Sequence, residues 1–111
     1  MRSLVYPPKL SPGDRLAVLS PSFAAPAVAP ELHEQALARL MELTGLIPVE
    51  YPTTRKLGAS SKERARDFND ALANPGIRAI LATVGGSDQI TVVPHLDPDL
   101  LRADPKPFLG Y

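Results

Sequence analysis

At 111 residues the chain has room for one hydrophobic core, and its 12 basic and 12 acidic side chains leave no formal net charge. That balance excludes the basic excess of a nucleic-acid binder. The absence of cysteine removes disulfides, a thiolate nucleophile and any Cys-based metal site. No apolar run approaches the ~20 residues that span a bilayer, and the opening "MRSLVYPPKL" lacks the apolar stretch of a secretory signal. The expectation is a cytoplasmic protein with no membrane and no nucleic-acid partner. Proline is abundant, 13 residues against an average near ~5%. Because proline fixes φ and lacks a donor, regular structure is confined to the windows between prolines.

After a lead-in over residues 1–13, an α/β domain is expected over 14–111. "DRLAVLS" (residues 14–20) places Leu16, Ala17, Val18 and Leu19 in an unbroken apolar run, the pattern of a strand buried on both faces. "PSFAAPAVAP" reads as a small-residue loop. "ELHEQALARLMELTG" follows with Leu32, Ala36, Leu37, Leu40, Met41 and Leu43 at helical spacing and Gly45 where a C-terminal cap belongs. "LIPVEY" (46–51) is a second strand, whose Pro48 favours a sheet edge. "PTTRKLGA" is loop. Ser60, three residues before Glu63, forms a capping box for a helix burying Ala65, Phe68, Ala71 and Leu72 and stopping at Asn74, Pro75 and Gly76.

"IRAILATV" (77–84) is the third strand. "GGSDQITVV" is a glycine turn leading into a short helix or turn that Pro94 ends, and Asp97 with Pro98 starts another short helix. "PFLGY" is the last strand. Strand and helix alternating in this way predict an α/β fold, a parallel sheet with right-handed crossovers and helices on both faces.

In such sheets sites form beyond the carboxyl ends of the strands. Ser20 and Ser22 after the first strand, and Gly85, Gly86, Ser87 and Asp88 after the third, fall there. Two adjacent glycines bring bare N–H groups close to a ligand. If a helix starts at Ser87, those amides also point along its positive end, suited to an anion or a developing oxyanion. The alternative is a tight strand-to-helix turn with Ser87 or Asp88 as cap. Neither G-x-G-x-x-G nor G-x-x-x-x-G-K is present, which argues against a dinucleotide or P-loop cofactor. His95, Asp97 and Asp99 alternate in "HLDPD" and invite a metal, but carboxylates at a helix start already suit the dipole, so no metal is expected. A Ser87, His95 and Asp97 triad would need segments that converge on one point. His33, between Glu31 and Glu34 without H-E-x-x-H spacing, reads as a surface histidine.

Four stretches together resemble the amino-terminal half of the LD-carboxypeptidase family of serine peptidases, which includes the microcin C self-immunity peptidases. They are "PPKLSPGDRLAVLSPS", "LGASSKERARDFNDALANPGIRAILATVGG", "VPHLD" and "ADPKPFLGY", and the match runs from about Pro7 to Tyr111. The resemblance implies a flavodoxin-like or class I glutamine amidotransferase-like sheet, ending before the nucleophile elbow. It places the nucleophilic serine immediately after Tyr111, on a sharp strand-to-helix turn, so no catalytic side chain is expected within this chain. It further implies that Glu and His of a Ser-His-Glu triad belong to a carboxyl-terminal domain, and that Gly85 and Gly86 supply a backbone amide to the oxyanion hole. Ser20, Ser22, Ser87 and Asp88 are expected to face the peptide substrate, and no cofactor is implied.

The chemistry implied is hydrolysis of an amide between an L- and a D-residue, as in murein tetrapeptides during peptidoglycan recycling, or of a related carboxyl-terminal amide. "GGSDQ" and "TVVPHLD" lean toward the microcin-immunity subgroup. Alone, the 111 residues are expected to be inactive and to self-associate, for instance as a dimer, through the uncovered last strand. The competing reading is a non-catalytic α/β module that grips a small anionic ligand.

Overall fold

Four parallel strands in the order β2-β1-β3-β4 form one sheet in the computed structural model, which describes residues 4–110. The strands are β1 (Arg15–Leu19), β2 (Ile47–Glu50), β3 (Ile77–Ala82) and β4 (Phe108–Leu109). The helices are α1 (Ala25–Val28), α2 (Pro30–Thr44), α3 (Ser61–Ala73) and α4 (Pro98–Ala103), with a 3-10 segment at Ser87–His95. β1 and β3 lie in stretches free of proline, whereas β2 contains one. Pro48 lies in β2, an edge strand where its missing donor costs no ladder bond.

Both faces of the sheet are covered, as the alternation of elements requires. Ala17, Leu19, Ile77 and Ile80 pack against Phe68, Ala71 and Leu72 of α3, with Leu96 and Leu100 at the margin. On the opposite face Leu16, Val18 and Ala79 meet Leu37 and Leu40 of α2, and Leu10 of the lead-in joins them. β1 is buried on both sides from Leu16 to Leu19, as its unbroken apolar run predicts.

Local signals fix the helix ends. Ser60 accepts from the Glu63 N–H at 3.1 Å, while the Glu63 carboxylate accepts from the Ser60 N–H at 3.3 Å, a complete capping box. α2 ends at Gly45 with φ of 72°, and a side chain there would also strike Pro12, whose Cβ lies 2.9 Å from the position a Cβ would take. β4 is short, yet it is anchored from its amino side. The Lys106 side chain is fully buried and its ammonium donates to Ala71 O at 2.7 Å and Asn74 O at 2.5 Å, satisfying carbonyls at the end of α3. Burial pushes the Lys106 amine below lysine's usual value. Arg78 and Asp104 add a two-pronged pair at 2.9 and 3.0 Å, and the Phe68 and Phe108 rings meet with centroids 5.4 Å apart.

Three expectations are corrected. The loop "PSFAAPAVAP" contains α1, a single turn with a proline at its start. The segment after the glycines does not stop before Pro94 but runs through it to His95, because proline's fixed φ is compatible with 3-10 backbone and only one donor is lost. His33 is not a surface residue: it is 9% exposed, on the inward face of α2. The inward stripe of α2 runs through His33, Leu37 and Leu40, spaced by four and three residues, while Leu32, Met41 and Leu43 turn to solvent.

Candidate active site at the carboxyl edge

From β1 the chain moves outward to β2, then returns to lay β3 on the other side of β1. At such a reversal the connections leaving adjacent strands run in opposite directions and open a crevice beyond their carboxyl ends. Residues 20–22 and 83–86 are the two walls here. Their strands are in register to the end, with Leu19 opposite Ala82 and the Thr83 N–H donating to Leu19 O at 2.8 Å.

The predicted site residues divide according to what their groups already bond. Ser20 is 3% exposed. Its hydroxyl donates to Thr54 O at 2.6 Å and lies 2.8 Å from Thr83 Oγ1, while Thr54 Oγ1 donates to Val18 O at 2.7 Å. The hydroxyl expected to face substrate is therefore committed to stapling the ends of β1 and β3 to the turn after β2. Ser22 is half-buried and lies directly against Gly86: a Cβ at Gly86 would fall 2.3 Å from Ser22 Oγ and 3.3 Å from its Cβ. Gly86 has φ of 165° and ψ of 163°, an extended geometry open to any residue, so close approach is what demands glycine. The two walls thus touch, and the touching pair is Ser22 with Gly86.

Beyond the contact, Gly86 O accepts from the Gln89 N–H at 3.2 Å and opens the 3-10 segment. Among the described residues the Gly85 and Gly86 amides donate no backbone hydrogen bond. Ser87 and Asp88 are exposed at the start of that segment, where helical dipoles are positive.

Sequence reasoning missed three residues that shape this edge. Thr53 and Thr54 are buried in the stretch read as plain loop, and Thr53 donates through both its N–H (2.8 Å) and its hydroxyl (2.6 Å) to Asp67 of α3. Arg64, in the first turns of α3, reaches Pro21 O and Asp88 O together. Two adjacent threonines after a strand are a usable signal for such a turn, whereas nothing local marks Arg64 among its charged neighbours.

Off the crevice, at the carboxyl end of β2, Glu50 receives Arg55 Nε at 2.6 Å and Nη2 at 2.8 Å, and Arg55 also pairs with Glu34. The Arg55 guanidinium holds the Glu50 carboxyl below its usual range against the opposing effect of burial. His33 Nε2 is 3.4 Å from Glu50 Oε1 without hydrogen-bond geometry, and it has no other partner. The imidazole borders an apolar groove of about 550 Å³ between α2 and the sheet, with Leu32, Ala36, Leu40 and Leu81 among its walls.

Asp97, of the alternating His95, Asp97 and Asp99, serves a helix end. Asp97 caps α4 by accepting from the Asp99 N–H at 2.9 Å, with Pro98 next, as the sequence predicts. No grouping of three metal-ligating side chains occurs among the described residues. Ser87 and His95 stand at opposite ends of the 3-10 segment, so that triad is not assembled. No helix among the described residues is long and apolar enough to cross a membrane.

The last strand approaches the crevice. Phe108 and Leu109 pair in parallel with Ile80 and Leu81, and a Cβ at Gly110 would lie 3.3 Å from the Ala82 Cβ. β4 therefore advances alongside β3 toward the paired glycines, and Gly110 is level with β3's final residue. Tyr111, where the resemblance puts the approach to a nucleophile, lies outside the described residues.

Comparison with known proteins accords with this geometry. The family model described as the LD-carboxypeptidase N-terminal domain matches residues 16–111. A carboxypeptidase-named protein of Vibrio cholerae is 36% identical over 112 residues, covering 97% of this chain and 33% of its own length. The microcin C7 self-immunity protein of Escherichia coli is 44% identical over 50 residues, covering 45% of this chain and 14% of its own length. The solved apo structure of that immunity protein superposes with a TM-score of 0.87 at 31% identity, covering 98% of this chain and 33% of that one. A related protein from Bacillus anthracis gives 0.87 at 35%, covering 95% and 33%. The immunity protein has also been solved with aspartyl sulfamoyl adenosine and with glutamyl sulfamoyl guanosine. The chain spans about a third of the length of the relatives that match nearly all of it. With a family match over residues 16–111 and a fold of which 98% superposes on the immunity protein, this chain belongs to the LD-carboxypeptidase family and carries its amino-terminal domain.

Proposed function

We propose that this domain supplies one wall and part of the oxyanion hole of a serine carboxypeptidase that hydrolyses amides at the carboxyl end of a peptide. In this reading a serine directly after Tyr111, carried by β4, attacks the scissile carbonyl. Its proton passes to a histidine oriented by a glutamate, both from the rest of the protein. The carbonyl oxygen, as it becomes anionic, is held by the N–H of Gly85 or Gly86 and by the amide after the serine. Collapse breaks the C–N bond, the amine leaves with the proton, and water then releases the acyl group by the same relay. Ser22, Ser87 and Asp88 border the substrate, while Ser20 holds the wall from behind.

The observation that carries the reading is the conjunction of two glycine amides that have no hydrogen-bond acceptor among the described residues with the strand that advances toward them. The substrate class rests on relatives: L,D-amides for the family, and the aminoacyl sulfamoyl nucleotides seen with the immunity protein, which shares a stretch of 44% identity with this chain. The test is the whole-length protein assayed on an L,D-tetrapeptide and on aspartyl sulfamoyl adenosine. Hydrolysis of the amide in one of them, lost when the serine after Tyr111 is replaced by alanine, is expected; no turnover of either overturns the reading. The 111 residues alone should hydrolyse neither. They should also pair with a second copy, because the outer edge of β4 and the groove beside α2 present apolar surface.

A further inference from the structure

We propose that Arg64 is a positioning residue that sets the orientation of the turn at Gly85 and Gly86. The inference rests on the oxyanion role given to that turn above.

The starting point is a charge in an unfavourable place. Arg64 belongs to the opening turns of α3, at the helix end whose dipole favours anions. It has no carboxylate partner among the described residues. Instead the guanidinium spends its donors on neutral acceptors from three separate segments. Nε donates to Ala59 O at 3.2 Å, Nη1 to Pro21 O and to Asp88 O at 3.4 Å, and Nη2 to Thr91 Oγ1 at 3.3 Å. Thr91 Oγ1 in turn donates to Asp88 O at 2.6 Å, so two of these acceptors are themselves linked.

The planar fork of arginine holds several acceptors at fixed angles, which an ammonium does not. Here it joins the wall after β1, through Pro21, to the segment that begins at Gly86, through Asp88 and Thr91. The walls meet on their other side where Ser22 touches Gly86. Two attachments, one a contact and one a set of hydrogen bonds, remove the freedom of the glycine turn to swing about its own backbone. Glycines otherwise carry the largest backbone freedom of any residue, so amides aimed at a developing oxyanion need an outside constraint. Arg64 supplies it from a helix rather than from a loop.

The experiment compares the parent with Arg64→Ala and Arg64→Lys, and with Arg64→Gln in case the alanine variant does not fold. Amide hydrogen exchange in the 111-residue chain reads the clasp directly. Faster exchange over residues 85–91, with β1 and β3 unchanged, is expected for Ala and to a smaller extent for Lys. In the whole-length protein kcat should fall about 10- to 100-fold in the alanine variant, as expected for misplaced groups, with KM within about 2-fold. Lysine should recover part of kcat. Unchanged exchange over 85–91 in a folded variant overturns the clasp. Faster exchange with undiminished kcat overturns the positioning role. Absence of turnover by the parent overturns the peptidase reading by itself and with it any role in that reaction, while the exchange data still decide whether the clasp exists.

Discussion

Gly86 shows how a single hydrogen atom can decide a site. Its backbone is extended and accessible to any residue, so a methyl group meets no torsional objection; what it meets is Ser22, at 2.3 Å from Oγ and 3.3 Å from Cβ. The hydroxyl can rotate away, but the Cβ cannot. Gly86→Ala is therefore expected to cost about 1–3 kcal/mol, the usual range for overpacking, and to lower kcat of the whole protein by pushing the walls apart. Pairing it with Ser22→Gly should restore most of the stability, measured by urea denaturation of single and double variants. Additive losses would mean the two residues do not share the space. The pair of glycines was legible in the sequence as a turn at the right edge of the sheet, since Gly85 and Gly86 follow an unbroken apolar strand. Their partner was not, because Ser22 and Gly86 are brought together by strand pairing across 64 positions of chain. Ser20 and Ser22 look alike in the sequence, and the difference between them is set by partners distant in the chain: Thr54 and Thr83 engage the Ser20 hydroxyl, while Ser22 lies against Gly86.

At the scale of elements, α3 and α2 make an instructive contrast. α3 was readable from end to end: capping box, the stripe of Ala65, Phe68, Ala71 and Leu72, and a stop at Asn74. Removing the cap with Ser60→Ala should cost about 1 kcal/mol, read as a lower denaturation midpoint with an unchanged slope. α2 offered apolar residues on more than one adjacent stripe, so periodicity marked the helix but could not choose which stripe faces the sheet. Packing chose the one containing His33. Its Nε2 is enclosed without a hydrogen-bond partner, a state that ordinarily costs about 1–3 kcal/mol. His33→Leu, which keeps much of the volume, is expected to stabilise the chain by about 1 kcal/mol. A drop in stability instead would show that the 3.4 Å approach to Glu50 outweighs the unmet nitrogen.

For the molecule as a whole, three carboxylates lie below their usual range because Arg55, Lys56 and Arg78 hold Glu50, Glu63 and Asp104 respectively. The folded chain therefore binds fewer protons than the unfolded one around those values. Their contribution is fully present above the ordinary carboxylate range and drains as pH falls through the lowered values. The melting temperature should be level from neutrality to about pH 5 and decline below about pH 4, less steeply in high salt, where the exposed pairs are already screened. A profile flat to pH 3 would contradict this. Self-association is tested at the same scale: sedimentation of the 111 residues should show a dimer or larger species at micromolar concentration, and Leu109→Glu, at the outer strand, should shift it toward monomer. A monomer throughout would remove that proposal. Finally, Lys106 gives the protein an unusual measuring stick. Only two residues of β4 pair with β3, too few to define how far along the sheet the strand is placed, and the ammonium fixed on Ala71 O and Asn74 O sets that distance instead. The length of α3 is thereby copied into the position of everything β4 carries. One residue added to or removed from that helix would shift those carbonyls by roughly 1.5 Å along its axis and turn them by about 100°, more than chemistry at the crevice could absorb.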